Sequence, residues 1–191
     1  GVVVFPGGVG TAEEILFLLG VLLNPANEAQ PFPLVFTGPA DSADYFEEID
    51  AFVGLTLGDE ARKRYEIIID DPEQVSSIMK SGLDRVREYR VETQDAFYYN
   101  WMLHIDEEFQ RPFDPTHEAM ANLPVSRDLP KHQLAANLRR VFSGIVSGNV
   151  KADGIRRIRE HGPFEIRGEP EIMHALDRLL NRFVRQDRMK L

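Results

Sequence analysis

Cysteine is absent from the 191 residues, which excludes disulfides, thiolate metal sites and cysteine nucleophiles. The same absence makes a cytoplasmic location the default expectation. Long apolar runs are missing as well. The longest, Ile15 to Leu23, has nine residues, includes Gly20 and is too short to span a bilayer. No basic segment with a cleavage site precedes it, so the expectation is a protein that is not secreted. The five histidines, at 104, 117, 132, 161 and 174, lie at least 13 residues apart. No pair has metal-ligand spacing on a helix, and no metal centre is expected. Ser42, Ser143 and Ser147 lack the G-x-S-x-G context of a hydrolase nucleophile and read as cap or packing residues.

Positive charge is scarce through most of the chain. Residues 1–150 hold 12 Lys+Arg against 24 Asp+Glu, whereas residues 151–191 hold 10 against 7. An acidic body repels a phosphate backbone, so binding to long nucleic acid is not expected. The basic tail reads first as solvated helix surface and second as a site for a small anion. Separately, Arg139, Arg140, Arg156, Arg157 and Arg159 are candidates for an anion pocket that takes a regulatory nucleotide, with surface solvation the simpler reading for any one of them.

What the sequence does contain is an alternation of apolar strands and helical segments. Gly1-Val2-Val3-Val4-Phe5 suits a strand buried on both faces in the middle of a parallel sheet, with preceding strands expected upstream of Gly1. Pro6 to Gly10 forms a glycine-rich turn, and a helix is predicted from about Thr11 to Leu23, ended by Asn24-Pro25. A second strand is predicted at Pro33–Thr37, then a helix from Asp41 or Ser42 to Leu57. A third strand follows at Tyr65–Ile69, and a helix starts at Asp70-Asp71-Pro72. Strand–helix alternation of this kind gives a parallel α/β sheet, and residues 1–94 read as a Rossmann-like half-domain. From residue 95 the pattern turns to an irregular wrapping segment, with the aromatics Phe97, Tyr98, Tyr99 and Trp101 read as packing. Helices at Lys131–Ser147, Ala152–His161 and Pro170–Arg188 follow, with a short strand at Phe164–Ile166. The nearly all-apolar helix after the glycine turn suggests full burial, and with it a homo-oligomer.

A strand, then Gly7-Gly8-Val9-Gly10, then a helix makes a phosphate cradle. Helix N-termini carry unpaired N–H groups and positive dipole ends, and glycine lets an anion come close. The spacing is neither the GxGxxG dinucleotide fingerprint nor a P-loop ending in Lys-Ser/Thr. Thr11-Ala12-Glu13-Glu14 also fits a capping box, with Thr11 as N-cap and Glu14 reaching back, and on those four residues capping is the simpler reading.

Pro6-Gly7-Gly8-Val9-Gly10-Thr11-x-x-Glu14 resembles the PGGxGTxxE motif of the Lonely Guy family, whose members long carried a lysine decarboxylase label. Leu23–Asn27, Thr37–Pro39, Ser42–Phe46 and Phe142–Val150 extend the resemblance to the larger bacterial pyrimidine/purine nucleotide 5′-monophosphate nucleosidases. That resemblance implies hydrolysis of a nucleoside monophosphate to free base and ribose 5-phosphate, with no cofactor. By the same resemblance Gly7, Gly8, Val9, Gly10 and Thr11 hold the phosphate and ribose, and Glu14 binds ribose hydroxyls and stabilises the positive charge that builds on the sugar. It also implies a catalytic arginine upstream of Gly1 and a guanosine tetraphosphate effector. A noncatalytic nucleotide-sensing module and a cytokinin-type phosphoribohydrolase are the alternatives.

Overall fold

The computed structural model describes residues 1–95 and 103–189. The predicted aromatic run at 97–101 therefore lies outside the described residues. Strand β1 (Val2–Val4) leads through the glycine turn into helix α1 (Val9–Leu22), and a 3₁₀ turn at Pro25–Asn27 brings the chain to β2 (Leu34–Gly38). Helices α2 (Ala43–Leu57) and α3 (Asp59–Arg62) return it to β3 (Glu66–Ile69), which is followed by α4 (Pro72–Glu92). The three strands are parallel in the order β1-β2-β3, with Val3 opposite Val35 and Phe36 opposite Ile67.

β2 is buried along its whole length, whereas the three valines of β1 are half-buried. Among the described residues β1 pairs with one neighbour, β2, which lies between β1 and β3. Aromatic stacking fixes the sheet to its helices: the Phe36 ring lies 4.4 Å from Tyr65 and 5.6 Å from Phe46. The Tyr65 hydroxyl donates to Asp50 at 2.7 Å, and Asp50 in turn pairs with Arg62 at 2.7 Å. That network supplies the polar partners a nearly buried phenol requires.

The second half is helical: α5 (Glu107–Gln110), α6 (His117–Ala121), α7 (Lys131–Val150), α8 (Ala152–His161) and α9 (Pro170–Arg185). No strand forms at Phe164–Ile166. The ladder contact in this region is a single bridge between Val125 and Gly168, held by Arg127 pairing with Glu169. α7 lies along α1, and its Leu134, Ala135, Leu138 and Phe142 are fully buried with Ile15, Leu16 and Leu19 in one cluster. The broad apolar surface of α1 is thus covered from within the chain, leaving Phe17, Leu18 and Leu23 half-buried. No helix among the described residues is long and apolar enough to cross a membrane.

Candidate functional site

α1 begins two residues earlier than predicted, and the capping box does not form. Gly8, extended at φ −106° and ψ −151°, occupies the N-cap position, and no side chain caps the helix. Thr11 is instead the third helical residue, and its hydroxyl lies against Gly7, where a Cβ would collide with it. The first N–H groups of α1, on Val9, Gly10 and Thr11, have no intrahelical acceptor by geometry and gain none from a cap. They point, with the positive end of the helix dipole, toward whatever lies beyond the C-terminal end of β1.

The three glycines differ in what requires them. A Cβ at Gly8 would collide with the carbonyl oxygen of Arg188, whereas at Gly10 nothing lies within 4 Å. The chain itself therefore excludes a side chain at position 8 and leaves position 10 open. A cavity of about 560 Å³ opens here, lined by Gly8, Val9 and Gly10, by Val146 and Asn149 of α7, and by Asp187 and Arg188. That size falls within the range of small-molecule sites.

Glu13 and Glu14 separate clearly. Glu13 is half-buried and faces Arg139 of α7 at 3.8 Å, while Arg139 also covers the Phe17 ring. Glu14 is exposed, four residues after the exposed Gly10 and so on the same face of the helix. It has no hydrogen bond or ion pair among the described residues and stands outside the set that lines the cavity.

Two groups at the loop were not legible as site residues. Beyond α9 the chain turns at Asp187, whose φ of +54° is left-handed, with Asp187 N–H donating to Val184 at 3.1 Å and Arg188 N–H to Phe183 at 2.8 Å. This is a Schellman turn built without glycine, at a conformational cost of about 1 kcal/mol. It returns Arg188 to the loop, with its guanidinium 4.9 Å from the Tyr45 ring centroid and 3.5 Å from the Gly7 carbonyl. Tyr45 is 1% exposed. Burial raises its pKa, opposed by the Gly7 backbone and the Arg188 charge, but no group meets hydrogen-bond geometry at its hydroxyl.

Other residues singled out in the sequence have structural work. Asn24 bonds Asp106, and Asn27 exchanges hydrogen bonds with His104, so the Leu23–Asn27 segment clasps the wrapping segment. Ser42, Ser143 and Ser147 are buried in packing. Arg139, Arg140, Arg156 and Arg157 pair with Glu13, Glu108, Asp153 and Asp114 respectively.

These features define a Rossmann-like α/β unit whose uncapped glycine turn opens on a cavity shared with a helical module. Residues 83–191 match the family described as pyrimidine/purine nucleotide monophosphate nucleosidase, C-terminal, and residues 1–79 match the family described as possible lysine decarboxylase. Pyrimidine/purine nucleotide 5′-monophosphate nucleosidases of Escherichia coli K12 and of Escherichia coli O157:H7 are each 56% identical to the chain over all 191 residues. The chain belongs to the pyrimidine/purine nucleotide monophosphate nucleosidase family. It spans 42% of the length of these curated relatives.

Proposed function

We propose that this chain carries the phosphate-binding and charge-stabilising part of a nucleoside 5′-monophosphate nucleosidase. The observation that supports it most is the open face of α1: an uncapped N-terminus, Gly10 with free space above it and Glu14 unpaired one turn along. In this reading Gly7, Gly8, Val9, Gly10 and Thr11 surround the 5′-phosphate, with N–H groups at the helix start donating to its oxygens. As the C1′–N bond breaks, the electron pair leaves with the base and positive charge builds on the ribose. The Glu14 carboxylate stabilises that cation, as carboxylates do in glycoside hydrolysis. Water adds at C1′ and loses a proton, the base gains one, and the products are free base and ribose 5-phosphate.

The test is direct. The complete protein, incubated with AMP or CMP, should release base and ribose 5-phosphate in equal amounts. Binding without any base release would instead favour a nucleotide sensor, and strong preference for N6-prenylated AMP over AMP would favour a cytokinin-type enzyme. Gly10→Ala sharpens the assignment. With empty space for the methyl, it should stabilise the helix by about 0.5 kcal/mol. Nucleotide affinity should nevertheless fall about tenfold, since the methyl intrudes where the anion approaches. A variant more stable and equally tight-binding would argue against phosphate at the loop.

A homo-oligomer stays part of this proposal, with support now from Leu83 and Val91 on α4, 41% and 78% exposed, rather than from α1. A guanosine tetraphosphate effector draws little support from the arginines named for it, because four of the five already face carboxylates.

A further inference from the structure

Arg188 is a cation kept in an unusual position. Its Nε is buried without a hydrogen-bond partner, and no carboxylate lies within 4.0 Å of its guanidinium among the described residues. Beside it, the Tyr45 hydroxyl is also buried and unpartnered. Unsatisfied donors buried in a protein are costly, and they persist where something else completes them. Donors predominate among the unsatisfied groups at the loop: the guanidinium N–H, the phenol O–H and the amides of an uncapped helix start, with Gln186 Oε1 the one acceptor near them in the chain. A carboxamide or hydroxyl ligand would satisfy only some of them. A phosphate, which offers acceptors alone and carries negative charge, would satisfy each of these donors.

We infer that Arg188 and Tyr45 complete the anion subsite of the glycine loop, so that a residue 181 positions away from Gly7 binds the ligand's phosphate. This rests on the nucleosidase reading for the identity of the substrate, but not for the chemistry of the subsite. The division of labour follows from the packing. Tyr45, held between Phe183 and Phe46, gives the planar guanidinium a face to stack on. The Schellman turn at Asp187 sets the reach of Arg188, and its carbonyl closes the Gly8 side of the loop while the Gly10 side stays open. Asp187 is exposed at the rim of the cavity, where water screens its carboxylate from the anion.

The complete protein carrying Arg188→Gln, Arg188→Lys or Tyr45→Phe tests this with two readouts. The first is kcat and KM for AMP and for adenosine, which lacks the phosphate. The second is the Kd of ribose 5-phosphate by calorimetry, which requires no turnover. Arg188→Gln should raise KM for AMP and Kd for ribose 5-phosphate about 10- to 100-fold, with adenosine hydrolysis unchanged. Arg188→Lys should restore part of the affinity, as a point charge without the fork. Tyr45→Phe, which keeps the ring packing, should weaken ribose 5-phosphate severalfold and serves where an Arg188 variant lowers the melting temperature. Equal loss for AMP and adenosine would mark a structural role and overturn the inference, as would an unchanged Kd in Arg188→Gln. If the unmodified protein releases no base at all, the nucleosidase reading fails while the ribose 5-phosphate titration still decides the subsite.

Discussion

Glu14→Gln in the complete protein should lower base release from AMP by about 10²- to 10³-fold while leaving AMP affinity within about threefold. The two side chains have the same shape, so the change removes charge and little else. In the proposed reading the ground-state nucleotide is held chiefly by its phosphate, at N–H groups that do not involve position 14. Only in the transition state does the sugar carry the positive charge that a carboxylate stabilises, so the loss should appear in kcat. Glu13→Gln provides the contrast. Glu13 faces Arg139 across the α1–α7 seam, and losing that contact should affect stability slightly and turnover not at all. Full turnover in Glu14→Gln, or equal loss of turnover and binding, would remove the assigned role. The Glu14 side chain is exposed and makes no hydrogen bond or ion pair among the described residues, so the substitution disturbs no contact of the fold.

The glycine turn was legible in the sequence because everything that makes it is contiguous: a strand, three glycines and a helix start within ten residues. The order of strands and helices in the first half was legible for the same reason. What failed needed information from a distance. Thr11-x-x-Glu14 has the letters of a capping box, but the cap goes to whichever residue adopts extended backbone just before the helix, and here Gly8 does so. Phe164–Ile166 has strand-like residues without a ladder partner, and only Gly168 meets a bridge. Tyr45 and Arg188 were invisible as site residues because α2 and the turn after α9 bring them to the loop through tertiary packing. Arg157 reads as part of a basic patch until Asp114, 43 positions away in the chain, is found beside it.

Phe142→Ala should be the most damaging single truncation at the junction between the sheet and the helical module. Phe142 is fully buried on α7 and meets Phe52 of α2 edge-on at 6.0 Å, in the same cluster that packs α7 against α1. Removing a buried aromatic ring costs about 3–5 kcal/mol, a large share of the 5–15 kcal/mol that holds a typical domain together. The thermal midpoint should fall by roughly 10 °C. Because one cluster serves both halves, the loss should be shared. Circular dichroism should show one lowered transition, and the glycine loop should become sensitive to proteolysis at the same temperature as α7 and α8. Melting of the helical part alone, with the loop still protected, would instead make residues 1–94 and 95–191 separate units. The consequence reaches the site, since the cavity beside Gly10 has α7 as one wall and the turn after α9 as another. A helical module that comes loose would leave the glycine turn in place but take Asn149 and Arg188 away from it.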